Sequence, residues 1–392
     1  MTMRILVVHN YYQQAGGEDE VFRAEVALLR EHGHDVSTLT TENGAVHGLR
    51  SLVAARDAVW SVGFQRRLTE CLRQSRPDVA HFHNTFFQVS PAAYYACRDA
   101  GVPVVQTLHN YRLVCPSATF YRDGRACEDC VGRAVALPGI RHGCYRGSRS
   151  QTAVVAGMLT AHRWLGTWQR SVDAYIAMTE FAREKFIAGG LPVEKIAIKP
   201  NFCATDPGIG NGAGGYALFV GRLSPEKGVE TLMAAWRRLG GTVPLYVVGD
   251  GPLAPAVEEF VGKVERCHWL GWQPKDKVLA LMRDARVLVL PSECYEMFPL
   301  VLAEASAAGL PVIGSRHGSV GAIIDDGRTG LRVRPGDPED LASKVEWAFS
   351  HPSELATMRT NAREVFETRY TPAVNYDLLM GIYDRVRNGV AA

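Results

Sequence analysis

Short apolar, β-branched runs alternate along the chain with segments whose apolar positions recur every three or four residues. "RILVVHN" is followed by "DEVFRAEVALLREHG", "DVAHFHN" by "SPAAYYACRDAG", and, after "VPVVQTLHN", "AYIAMT" by "EFAREKFIAGG". A continuous apolar run predicts a strand buried on both faces, and the three-to-four spacing predicts an amphipathic helix covering it. The alternation therefore predicts βα units around a parallel sheet. It breaks at "NFCATDPGIGNGAGGY", a glycine-rich stretch that also carries Pro207, and resumes with "ALFVGRL", "LYVVGDG", "VLVLPS" and "PVIGS". The expected fold class is α/β, with two Rossmann-like doubly wound domains facing across a cleft. The expected first domain covers 1–204 and carries an insert at about 112–149; the second covers 205–371. A helix over 372–392 follows and can cross back to the first domain.

Length and composition fit this plan. A chain of 392 residues exceeds the size at which one core stops growing, and 47% hydrophobic with 21% charged residues is ordinary for a globular protein. A net charge of +2 gives no global attraction for nucleic acid, so none is expected as a partner. "MTMRILVVHN" does not read as a leader, and no apolar stretch approaches the roughly 18 residues of a membrane span. The expected location is cytoplasmic, with peripheral contact at the inner membrane face as an addition. Nine cysteines in such a chain predict reduced thiols or metal ligands before disulfides.

Ligands of open α/β sheets bind outside the carboxyl ends of the strands, so the strand-end residues carry the candidate chemistry. In "PSECYEMFPLVLAEASAAGLPVIGS", residues 291–315, Pro299 suits a first helical turn and Gly309 with Pro311 stops it, predicting a helix from about 299 to 308. Glu296 precedes this helix and Glu304 lies inside it. The backbone from Met297 through Phe298 and Pro299 to Leu300 sits at the positive helix end, which suits a phosphate or a sugar oxygen. Two carboxylates in this setting are commonly only solvated. The preceding segment "FVGRLSPEKGVETLMAAW" changes the reading, because Arg222 offers a planar fork and Lys227 a point charge, a pair suited to a diphosphate.

With "GGEDEV", "TLHN", "VGRLSPEKG", "VVGDGP", "WLGW" and "EMFPLVLAE" in this order, the chain resembles the retaining GT-B glycosyltransferases of group 1, whose mark is a Glu-x7-Glu segment. The resemblance implies transfer of a hexose from a nucleotide diphosphate sugar to a saccharide or lipid-linked saccharide acceptor, in cell-surface polysaccharide or glycoconjugate synthesis. It implies that Arg222 and Lys227 hold the diphosphate and that Glu304 reads the ribose. Glu296, helped by Met297, Phe298, Pro299 and Leu300, would bind the sugar. Leu270 and Gly271 would face the base, Gly16 and Gly17 would let the first-domain loop approach the phosphate, and His109 would line the reaction centre. The leaving diphosphate would accept the acceptor's proton, so no protein nucleophile is implied and no metal is required for catalysis. Three positions depart from the family pattern: "HGSVGAII" places Ser319 and Ala322 where a glycine and a glutamate are usual, and Met297 stands where glycine is common.

Three features remain open. Cys115, Cys127, Cys130 and Cys144 can form a structural zinc site, with disulfides or packed thiols as alternatives. Arg141, Arg146 and Arg149 are either a solvated face or an acceptor-phosphate grip, and the latter reading extends to an anionic membrane surface. His81 and His83 either bind a metal or line a polar cleft. Two other functions compete with glycosyl transfer. A dinucleotide-dependent oxidoreductase would need Gly-x-Gly-x-x-Gly at a first βα turn, which neither half supplies. A zinc-bearing module that binds nucleic acid would need more basic surface than the chain carries.

Overall fold

The computed structural model describes residues 2–12, 16–43 and 50–389. The chain divides into two compact units, one of Met1–Phe120, Glu128–Lys199 and Asn375–Ala392, the other of Tyr121–Cys127 and Pro200–Val374. The boundaries thus fall at 199/200 and 374/375 instead of 204/205 and 371/372. Residues 121–127, which the sequence places in a first-domain insert, belong to the second unit.

The strands in chain order are β1 (Arg4–Tyr11), β2 (Asp35–Glu42), β3 (Val79–Phe82), β4 (Val104–Thr107), the two-residue hairpin strands β5 (Tyr121–Arg122) and β6 (Arg125–Ala126), β7 (Ala174–Ala177) and β8 (Ile196–Ile198). The first unit's sheet is parallel throughout, in the order β2-β1-β3-β4-β7-β8. Ile5, Val7, Val79, Val105 and Ile176 from its strands pack with Phe22, Val26 and Leu29 of the helix Gly17–Glu31. Leu379, Ile382, Tyr383 and Val386 of the helix Pro372–Arg387 join the same core. Each such side chain contributes about 1.5–3 kcal/mol by leaving water, so residues from 375 onward are part of this unit's stability.

In the second unit, β9 (Ala217–Val220), β10 (Leu245–Val248), β11 (Cys267–Trp269), β12 (Val287–Leu290), β13 (Val312–Ser315) and β14 (Gly330–Val333) form another parallel sheet, ordered β11-β10-β9-β12-β13-β14. Phe219, Trp236, Leu341 and Val345 fill one face; Leu218, Met282, Leu302 and Ala305 fill the other. Both faces being covered explains why the strands read as unbroken apolar runs. The order reverses direction between β1 and β3 in one sheet and between β9 and β12 in the other. Neighbouring loops diverge at such switch points and leave a crevice at the carboxyl ends. Among the described residues no helix is long and apolar enough to cross a membrane.

Candidate functional site

In the second unit the β9/β12 switch point gathers the residues of both motifs, although they lie about seventy positions apart in sequence. After β9 the backbone is tied to the next strand end, with Gly221 N–H donating to Val248 O at 3.0 Å and Leu223 N–H to Asp250 O at 2.9 Å. The chain then makes a tight turn at Pro225–Lys227 and enters the helix Val229–Leu239. Gly228, at φ +70°, joins the two, and a Cβ there would lie 2.0 Å from the carbonyl oxygen of Pro291. Only glycine lets the Lys227 loop close on the β12 loop. That closure puts Lys227 Nζ 2.5 Å from Glu296 Oε1, the same oxygen that accepts from Ser292 Oγ at 2.8 Å. Burial by itself would lower the Lys227 pKa, but the Glu296 carboxylate outweighs it and holds the ammonium above its ordinary value. Arg222 follows β9 with its side chain exposed.

Pro299 caps the helix Leu300–Ala307, with Met297 and Phe298 buried ahead of it. Glu304 is 4% exposed inside this helix and forms an ion pair with Lys275. Lys275 escaped the sequence reading. It is the first residue of the helix Lys275–Asp284, where a cation opposes the helix dipole; that mismatch is the signal that an anion must lie nearby. Leu270 and Gly271 follow β11, and Gly271 O accepts from Gly249 N–H at 2.8 Å, fixing the ends of β10 and β11 together. In the "HGSVGAII" segment, His317 Nε2 lies 3.0 Å from Ser292 O, Ser319 is buried and Ala322 is exposed.

The first unit's β1/β3 switch point is built from imidazoles. His9, on β1, sits 2.7 Å from Asp19 Oδ1, and Gly16 N–H donates to the other Asp19 oxygen at 3.0 Å. Gly16 precedes Gly17, the first residue of the helix, and the space its Cβ would occupy is open. His83 follows β3 and His109 follows β4; His83 Nδ1 and His109 Nε2 are 2.9 Å apart. Behind them lies Glu25, with Oε2 3.3 Å from His83 Nε2 and Oε1 bonded to the Lys199 ammonium. Glu25, His81 and His83 hold their ligand-type atoms within 4.8 Å of one another, yet Glu25 is taken by Lys199 and His81 by Tyr383 Oη and Thr107 Oγ1, each at 2.7 Å. The histidine pair is therefore part of a protein hydrogen-bond network.

Burial, reinforced by the neighbouring His83 ring, holds His81 and His109 well below the usual histidine range. Burial raises the Glu25 carboxyl, but Lys199 and the histidines outweigh it and keep the group ionised well below the carboxylate range. Glu18, whose Oε1 accepts from Asn84 Nδ2 at 3.1 Å, is pushed up to about 8 by burial and by Asp19.

Arg141, Arg146 and Arg149 are all exposed, with the Arg146 guanidinium 5.4 Å from the Tyr145 ring. Arg112, which the sequence reading passed over, lies 5.0 Å from that ring and 4.6 Å from the ring of Phe86. Cys115, Cys130 and Cys144 do not form a group of three within 4.8 Å among the described residues, and Cys127 belongs to the second unit.

Comparison with known proteins agrees in both halves. Residues 15–206 match the model described as glycosyltransferase family 4 and residues 214–351 that of glycosyl transferases group 1. An uncharacterized glycosyltransferase of Methanocaldococcus jannaschii is 35% identical over 151 residues, 38% of this chain and 42% of that protein, so the match spans less than half its length. A glycogen synthase of Mycobacterium tuberculosis is 27% identical over 85% of this chain and 79% of its own. Among solved structures, Anabaena HepE, crystallised with UDP, superposes with a TM-score of 0.69 at 16% identity over 97% of this chain and 100% of that one, a likeness of fold. The chain belongs to the group 1 glycosyltransferases and has the two-domain GT-B fold.

Proposed function

We propose that the protein transfers a hexose, with retention of configuration, from a nucleotide diphosphate sugar to a saccharide or lipid-linked saccharide acceptor in cell-surface polysaccharide or glycoconjugate synthesis. The observation that carries this reading is the Lys227–Glu296 pair at the β9/β12 switch point, with Arg222 beside it in sequence and buried Glu304 on the following helix. A donor entering there exchanges partners. Lys227 turns from Glu296 to the diphosphate, Glu296 takes sugar hydroxyls, and Glu304 takes ribose hydroxyls in place of Lys275. The bond from the anomeric carbon to the phosphate oxygen breaks and a bond to the acceptor oxygen forms on the same face, while the acceptor's proton passes to the leaving diphosphate. The protein's work is to position the partners and to stabilise the charge developing on that diphosphate. In this reading Arg222 and Lys227 supply the positive field without a metal. The reaction is placed in the cytoplasm, at the inner membrane face when the acceptor is lipid-linked. The UDP bound by HepE makes a uridine nucleotide the first to try.

Thermal stabilisation by UDP, GDP, ADP and dTDP identifies the base, since a ligand that binds only the folded state raises the midpoint. With the matching donor, Arg222→Ala and Lys227→Ala each lower turnover at least a hundredfold, about 3 kcal/mol of transition-state stabilisation. Near-normal turnover in both variants removes the diphosphate assignment.

A further inference from the structure

Four side chains from four separated stretches of the first unit form one buried line: Lys199, Glu25, His83 and His109. Lys199 and Glu25 are each 1% exposed, His83 is buried, and His109 at the far end is partly exposed and lines a recess with Asn84, Gln106 and Arg112. Proton bookkeeping along this line has few solutions. The Lys199 ammonium has only donors, and it bonds Glu25 Oε1. Glu25 as a carboxylate has only acceptors. Its second oxygen and His83 Nε2 face each other at 3.3 Å without hydrogen-bond geometry, and neither atom has a partner elsewhere. A bare nitrogen lone pair aimed at a buried carboxylate oxygen across that gap would be repelled, whereas an N–H is attracted, so His83 carries its proton on Nε2. A neutral His83 then offers a lone pair at Nδ1, and the 2.9 Å contact there requires His109 to donate from Nε2. A neutral His109 with its proton on Nε2 has a bare Nδ1.

We infer that Glu25, held by Lys199, acts through His83 as a positioning residue that fixes His109 in its Nε2–H tautomer and turns Nδ1 into a fixed hydrogen-bond acceptor in the recess. This rests on the reading that His109 lines the reaction centre. There Nδ1 would accept from a hydroxyl of the transferred sugar. Hydroxyls become stronger donors as positive charge grows on the sugar ring, so the bond strengthens in the transition state and acts on kcat more than on KM. A metal at Glu25, His81 and His83 is the competing use of these groups, and Lys199 on the carboxylate argues against it.

The test is a long-range ¹H–¹⁵N spectrum of the full chain labelled at histidine, with the His109 and His83 signals identified by their loss in His109→Gln and His83→Gln. Imidazole nitrogens with and without a proton are well separated in such spectra, so the tautomer is read directly. In the wild type His109 shows a protonated Nε2; a protonated Nδ1 overturns the inference whether or not Glu25→Gln folds. Glu25→Gln sharpens the test. Lys199 claims the carboxamide oxygen, so the amide NH₂ faces His83 Nε2 and the whole chain reverses. His109 then switches to the Nδ1–H form and kcat falls about tenfold, the scale of one hydrogen bond, with donor KM changed less than about twofold. An unchanged tautomer in Glu25→Gln, or a reversed one with wild-type kcat, overturns the positioning role. If His109→Ala keeps wild-type turnover, the reading of His109 as part of the reaction centre fails, and the inferred role in catalysis falls with it.

Discussion

Two lysine–glutamate pairs, one at each switch point, use the same chemistry in opposite ways. Lys199 and Glu25 are sealed, each 1% exposed, with Asn375 also within reach of the ammonium at 3.4 Å. Lys227 and Glu296 are open, at 25% and 12%, and share their place with Ser292. A sealed pair cannot change partners, because each charge left alone would be stranded in a low dielectric. An open pair can, because water and an incoming ligand replace what the partner supplied. The Lys199–Glu25 charges are thus committed to the first unit's own architecture, whereas the Lys227–Glu296 charges can exchange partners.

The largest effect that tests this contrast is on stability. Lys199→Met leaves Glu25 buried without its counter-charge and costs about 3–5 kcal/mol in denaturant unfolding, whereas Lys227→Met costs no more than about 1 kcal/mol. Equal losses at the two sites would break the comparison. A smaller effect is expected in binding. With Glu304 reading the ribose as proposed, Glu304→Ala removes a contact that is alike in ground and transition states, so it raises the donor KM about tenfold and leaves kcat at saturation nearly unchanged. A fall in kcat with unaltered KM would assign Glu304 to the chemical step instead.

The last effect concerns pH. His81 and His109 have folded pKa values depressed below 6.5, so the unfolded chain binds protons that the folded one refuses. Their contribution is present above about pH 6.5 and is lost as pH falls below it, at about 1.4 kcal/mol per unit for each ring that stays neutral. Glu18 counts the other way: its raised folded value favours the folded state at low pH and opposes it as pH rises through about 8. Glu18→Gln therefore steepens the loss of the first unit's stability between pH 7.5 and 5.5, read by hydrogen exchange of its sheet amides. A slope no steeper than wild type contradicts the opposing contribution of Glu18, and a wild-type stability that does not fall below pH 6.5 contradicts that of the histidines.

Eight of the twelve strands in the two large sheets were legible as apolar runs. The four that were not, β2, β8, β11 and β14, are the four edges. An edge strand is covered less completely; β2, "DVSTLTTE", has only Val36 buried, so nothing in its composition demands an apolar run. The Arg222–Lys227 and Glu296–Glu304 motifs were legible because each is local, sitting in one strand–turn–helix unit. Their being brought together depends on strand order, which spacing does not encode. The partners Lys199 for Glu25, 174 positions away, and Lys275 for Glu304 were illegible for the same reason. For the insert cysteines the spacing was legible but the unit each belongs to was not: Cys127 falls with residues 121–127 in the second unit and Cys115, Cys130 and Cys144 in the first.

The helix that closes the first unit's core has a consequence for how the protein is made. Residues 375–387 bring Leu379, Ile382 and Tyr383 to that core and Asn375 to the Lys199 ammonium, yet they leave the ribosome after all of residues 200–374. The second unit can complete its sheet during synthesis, while the first waits with an apolar groove uncovered and its histidine His81 lacking the Tyr383 hydroxyl. The half of the molecule translated first is finished last, and the second unit has all of its residues while the first still waits for its closing helix.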